Sequence, residues 1–160
     1  MYLIILAAIG AIVLLPALLM GQSADFLQAA AAFVIEHEGF LAHPKWDNKQ
    51  YTWGYGTQAP GATGTISQDQ AYTDMVAYLQ DVYNTLSPLL TVQLSGNQWV
   101  ALLDFAFNEG PAAAQRLIPD INSGDASVVI AHMKLYNIEG GQISSNLIAR
   151  RNDESDMWIA

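Results

Sequence analysis

The stretch Glu38-Gly39-Phe40-Leu41-Ala42-His43-Pro44-Lys45-Trp46-Asp47-Asn48-Lys49-Gln50-Tyr51-Thr52-Trp53-Gly54-Tyr55-Gly56 divides this 160-residue chain into two textures. Before it, Phe26, Leu27, Ala30, Phe33 and Val34 recur at helical spacing. That spacing predicts a helix from Asp25 that ends near Gly39 and leaves Glu38 in its last turn. Within and after the stretch, Pro44, Gly54, Gly56, Pro60, Gly61 and Gly64 are mixed with Tyr and Trp. Residues 40–66 therefore read as a small β-hairpin or three-stranded sheet with loops. Asp47 follows Glu38 by nine positions, and Thr52 follows Asp47 by five. A carboxyl at a helix end, facing a second carboxyl and a hydroxyl on a sheet, suits the cutting of a sugar–sugar bond. That chemistry uses two acids in different protonation states on either side of one glycosidic oxygen.

Downstream the pattern turns helical. Ser67 and Gln70 form a capping-box pattern before a helix over Asp69–Leu86, broken by Ser87-Pro88. Ser95-Gly96-Asn97-Gln98 opens a second helix, Trp99–Asn108, whose apolarity nearly all round marks it as the buried central helix. Further helices fit Ala112–Asn122, Asp125–Leu135 and Leu147–Trp158, with breaks at Ser123-Gly124 and Gly140-Gly141. Helix, small sheet, then many helices is the order of a segregated α+β domain.

Composition narrows the function. Net charge is −9, with six Lys and Arg, so the basic footprint that nucleic acid requires is missing. The same charge repels an anionic wall polymer at long range. The chain has no Cys, which removes disulfides, thiolate metal sites and thiol nucleophiles. His37, Glu38 and His43 fit no common zinc spacing, so neither metal nor cofactor is expected.

Mean hydropathy is +0.20, and much of the excess lies in Met1–Met20, which contains no charged residue. As a helix, twenty residues span about 30 Å, the thickness of a hydrocarbon core. A membrane or signal-anchor helix over 1–20, contacting the lipid bilayer, is the first reading, with residues 21–160 as the domain. A cleaved signal peptide is the second, with Gly21-Gln22-Ser23-Ala24 as a small-residue site. It lacks a basic leading region, and its apolar run exceeds the usual length. With Asp25, Glu36 and Glu38 after the span, the domain is expected outside the membrane.

Three blocks in order resemble the phage-type lysozymes, the endolysin muramidases of glycoside hydrolase family 24. They are Glu38-Gly39 through Asp47 and Thr52 to Trp53-Gly54-Tyr55-Gly56; Leu94-Ser95-Gly96-Asn97-Gln98-Trp99 through Phe105-Ala106-Phe107-Asn108-Glu109-Gly110; and Leu147-Ile148-Ala149-Arg150-Arg151-Asn152-Asp153-Glu154. The resemblance implies a mainly helical lysozyme-like fold with a small antiparallel sheet. It implies cleavage of the β-1,4 bond between N-acetylmuramic acid and N-acetylglucosamine in peptidoglycan glycan strands. By the same resemblance Glu38 is the general acid, Asp47 the carboxylate that stabilises the oxocarbenium-like state and helps hold water, and Thr52 the hydroxyl that orients that water. Tyr55, Gly56 and Asn108 are expected at the substrate, and Arg150 or Arg151 beside the catalytic Glu.

Two departures stand out: the hairpin between Asp47 and Thr52 is one residue short of the family's usual spacing, and Thr57 replaces a common His. The setting implied is the host inner membrane facing the periplasm, with release at lysis, or a viral membrane. From another class, a lysozyme-like peptidoglycan-binding or structural virion module without activity is the alternative.

Overall fold

The structure, a computed structural model, describes residues 25–47 and 50–160. The membrane or signal-anchor helix read at residues 1–20 lies outside the described residues. Among those described, no helix is long and apolar enough to cross a membrane.

The first helix, α1, runs through residues 25–37, so Glu38, read from the spacing as part of the last turn, stands just after it. A three-stranded antiparallel sheet comes next, in the order β1 (Leu41–Asp47), β2 (Gln50–Gly54), β3 (Thr57–Gln58). Leu41 pairs with Gly54 and Lys45 with Thr52, so β1 takes four steps where β2 takes two. The irregularity falls between Leu41 and Lys45, a segment in which Pro44 has no N–H to give to the ladder. Beyond it, Trp46 pairs with Tyr51 and Asp47 with Gln50. Gly54 adopts φ +60, and a Cβ there would sit 2.8 Å from Cβ of Ala71, so only glycine lets the sheet close onto the following helix.

That helix, α2 (Gln68–Leu86), begins at Ser67, whose hydroxyl accepts from the Gln70 amide at 3.1 Å. The capping box expected at Ser67 and Gln70 is only half made. The Gln70 side chain donates to Asp74 at 2.7 Å, one turn ahead, instead of reaching back. The full box occurs at α3 (Gly96–Glu109), where Ser95 and Gln98 satisfy each other's backbone amides. Between α2 and α3, Ser87–Leu89 forms a single 3-10 turn.

Helices α4 (Pro111–Ser123), α5 (Ala126–Met133) and α6 (Ser145–Ile159) complete the chain. Helix α5 stops two residues before the predicted Leu135. The Gly140-Gly141 break is more than a break: both residues take positive φ, +58 and +81, and turn a short hairpin of β4 (Ile138–Glu139) and β5 (Gln142–Ile143). Two consecutive positive-φ residues are what a two-residue hairpin turn demands.

Helix α3 is central, with every residue from Trp99 to Ala106 buried. Around it pack Leu27, Ala30, Ala31 and Val34 of α1, Met75, Leu79 and Val82 of α2, Leu117 and Ile121 of α4, and Trp158 of α6. Burial at these sites stabilises by roughly 1.5–3 kcal/mol per large side chain against the cost of ordering the chain. The result is a helical body with its small sheet set to one side, the segregated α+β class expected.

Candidate active site

The end of α1, the turn after β2, the end of α3 and the inner face of α6 meet at Glu38. Its backbone amide still donates to the Val34 carbonyl at 3.0 Å, so the residue is fixed by the helix it follows. Its side chain is 28% exposed, and Oε1 accepts from Nη1 of Arg150 at 2.7 Å. Gly56, with φ +93, brings the turn against the other side: a Cβ there would lie 3.8 Å from Oε2 and 3.4 Å from the Phe107 ring. Glu38 is therefore clamped on one oxygen and closely approached, but not bonded, on the other.

Arg150 is the arginine the structure brings to Glu38. Its Nε and Nη2 donate to the two oxygens of Asp104 at 3.0 and 2.7 Å, a bidentate fork, and Nη1 is left for Glu38. Burial opposes the guanidinium charge, but the hydrogen bonds and charges of Asp104 and Glu38 outweigh it and raise its pKa. Arg151 turns elsewhere. It donates to Oδ1 of Asn108 at 2.8 Å, to Glu109 at 3.2 Å and to Glu154 at 2.7 Å, and its guanidinium sits 4.7 Å above the Phe105 ring. Asn108, expected at the substrate, thus has its carbonyl oxygen committed to Arg151. Burial, then the nearby Asp104, pushes Glu154 up to about 10 against the opposing charges of Arg151 and Arg150.

Asp47 ends β1 and is exposed; Thr52 is buried on β2, and its hydroxyl reaches the Lys45 carbonyl at 3.5 Å, a long contact. In the observed register Asp47 faces Gln50 and Lys45 faces Thr52. Side chains of directly paired residues share a face, as do alternate residues of one strand. Asp47 and Thr52 are therefore diagonal neighbours on one face of the hairpin, with Trp46 and Tyr51 on the other. Among the described residues neither makes a hydrogen bond or ion pair with Glu38. Tyr55 is half-buried against Phe40, ring centroids 5.5 Å apart, beside Gly56.

Sequence reasoning missed Asp104 and Glu154 as parts of this site. A signal existed for each. Asp104 is the one charged residue in the apolar run from Trp99 to Phe107, and Glu154 stands three and four positions after the two arginines. The chemistry available is a carboxyl at a helix end, held by a buried cation, with a second carboxyl and a hydroxyl on an adjoining sheet. Among the described residues, no group of three or more His, Cys, Asp or Glu is placed to hold a metal.

The architecture is that of lysozymes. The chain superposes on the muramidase domain of SpmX from Asticaccaulis excentricus with a TM-score of 0.75 at 21% identity, covering 82% of this chain and 95% of that one. An endolysin from Escherichia coli O157:H7 phage FAHEc1 gives 0.70 at 23%, over 81% and 90%.

The sequence match is to a family as well as a fold. This chain belongs to the phage lysozyme family, whose sequence model matches residues 35–154. An endolysin of Bacillus phage PZA is 28% identical over 118 residues, which is 69% of this chain and 44% of that relative. The chain thus spans less than half the length of this curated relative.

Proposed function

We propose that this chain is a muramidase that hydrolyses the β-1,4 bond between N-acetylmuramic acid and N-acetylglucosamine in peptidoglycan. The observation that carries the reading is the clamped, part-exposed Glu38, bonded through Oε1 to Arg150 and flanked at Oε2 by the bare Cα of Gly56. An acid that protonates a leaving oxygen must be fixed in direction and still reachable by substrate. The Glu38 side chain, anchored through Oε1 and 28% exposed, meets both conditions.

In this reading the Oε2 proton passes to the glycosidic oxygen as the bond to the muramic acid C1 breaks. Asp47 stabilises the positive charge that develops on the ring and helps hold a water molecule. The Thr52 hydroxyl orients that water, which adds to C1 and passes a proton to the Asp47 carboxylate. Protein carboxyls that act through water rather than bonding to the sugar lead to inversion at C1. Gly56 and Tyr55 line the substrate beside Glu38, and Asn108 faces it from the end of α3.

Residues 1–20 serve as a membrane tether that keeps the domain close to the wall. The twenty-residue uncharged run supports this. The tether suits a protein of the host inner membrane, facing the periplasm and acting in lysis, or a viral membrane component that opens the wall during infection.

Clearing of purified peptidoglycan by the full chain tests the activity, with Glu38→Gln as control. Clearing by the parent and none by the variant is expected; equal clearing by both, or none by either, overturns the assignment. Mass determination of the N-terminus in the membrane fraction tests the tether: an intact Met1 end supports it, and a mature end near Ala24 refutes it.

A further inference from the structure

Behind Arg150 lies a second carboxyl with no exposure to solvent. Glu154 on α6 is fully buried, and so is Asp104 on α3. Oε1 of Glu154 accepts from Nη2 of Arg151 at 2.7 Å, with Nε of Arg150 at 4.0 Å. Oε2 is buried and receives no donor from any described group, and the two buried carboxyls share one nitrogen, with Nε of Arg150 3.0 Å from Oδ2 of Asp104 and 4.0 Å from Oε1 of Glu154. Two ionised carboxylates crowded on one buried guanidinium repel each other, and a proton on one of them relieves this. Asp104 already accepts both fork bonds from Arg150, one on each oxygen. Glu154 Oε2 takes none. The proton therefore belongs on Glu154.

We propose that Glu154 is a positioning residue kept as a neutral carboxylic acid: Oε1 accepts from Arg151, Oε2–H donates to Asp104, and Asp104 is thereby fixed as the anchor that aims Arg150 at Glu38. Glu154 touches no substrate and acts only through Asp104 and Arg150. The surrounding charges agree with one neutral member. Arg150 and Arg151 face Asp104 and Glu109 from α3 and Glu38 from α1. With Glu38 protonated as the acid, an ionised Glu154 would set three carboxylates against the two guanidiniums; a neutral one leaves two, and the charges balance. Removing the Oε2–H bond frees one side of Asp104 and loosens the fork that fixes Nη1.

The positioning role rests on the muramidase reading; the protonation state does not, so the two are tested by separate measurements on the full chain. The first is equilibrium unfolding against pH, comparing the parent with Glu154→Gln, a neutral isostere that accepts and donates at the same points. Burial, and then Asp104, raises Glu154 from 4.5 in the unfolded chain to about 10 in the folded one. Its contribution to stability is fully present below the lower value and is lost as pH rises towards the upper. The parent's folding constant should fall about tenfold per pH unit relative to the variant between about pH 5 and 9. Parallel pH profiles would show Glu154 ionised and overturn the proposal.

The second measurement is peptidoglycan clearing resolved into kcat and KM. Glu154→Met, an apolar side chain of matching length, should lower kcat by about tenfold or more with KM little changed, and Glu154→Gln should recover most of that loss. Parent-like kcat in the folded Met variant, or no recovery by Gln, overturns the positioning role. A parent chain that unfolds as predicted but clears no peptidoglycan refutes the muramidase reading, and the positioning role with it, while leaving the proton assignment standing.

Discussion

Arg150 on α6 donates Nη1–H to Oε1 of Glu38 at 2.7 Å, joining residues 112 positions apart in sequence. The contact closes the C-terminal helix onto the end of α1, and it is fixed from behind by Asp104. The site's acid is thus held by a cation that is itself held by the central helix. Stability and placement of Glu38 share the same side chains, so a change that disturbs one disturbs the other.

Asp104→Ala should destabilise the fold by about 3–5 kcal/mol, because it leaves the Arg150 charge buried without its bidentate partner. Urea unfolding of the variant measures this. A loss below about 1 kcal/mol, the level of an exposed ion pair, would mean that the fork contributes little.

Gly56→Ala should reduce both stability and activity. The residue has φ +93, where an L side chain is strained by about 1–3 kcal/mol. Its Cβ would also stand 3.4 Å from the Phe107 ring and 3.8 Å from Oε2 of Glu38. Thermal unfolding and clearing assays on the same preparation would detect both losses. Unchanged clearing would show that the approach of Gly56 to Glu38 has no bearing on the reaction.

Ser95→Ala should cost about 1 kcal/mol, in the range of about 0.5–2, because a complete capping box opens the central helix there. Ser67→Ala should cost less, since Gln70 is already bonded to Asp74 and only one cap bond is lost. Equal losses in urea unfolding would contradict the half-made box.

Added salt should speed clearing of an anionic wall at low ionic strength. The chain carries −9, so enzyme and polymer repel one another, and salt screens that repulsion over about 8–10 Å at physiological ionic strength. A clearing rate that falls steadily with salt would point to a locally basic binding surface instead.

Much of the fold was legible because helix caps and apolar spacing are local. Val34 and Gly39 bracket the end of α1, and the run from Trp99 to Phe107 marks α3 without reference to anything else. The Glu38, Asp47 and Thr52 sequence spacing located the candidate site, and the observed register keeps the latter two on one face. What was not legible depends on contacts between distant elements. Consecutive residues on a helix point about 100° apart, so which of Arg150 and Arg151 reaches Glu38 is set by how α6 seats against α3. Asp104 resembles a stray charge in an apolar helix until Arg150 is seen against it. Gln70 had two partners within reach, and the choice of Asp74 over the Ser67 amide is a competition that the capping pattern does not record. Gly140-Gly141 read as a helix break, whereas the flanking pairs Ile138–Ile143 and Glu139–Gln142 make it a hairpin turn.

Cleavage at N-acetylmuramic acid driven by Glu38 leaves its mark on the new chain ends. Purified peptidoglycan is digested with the full chain or with Glu38→Gln, reduced with borohydride, and the products are weighed by mass spectrometry. Glycan fragments ending in reduced N-acetylmuramic acid from the parent, falling by about 10²-fold or more with the variant, are the predicted result. Ends in reduced N-acetylglucosamine, or equal yields from parent and variant, would contradict it.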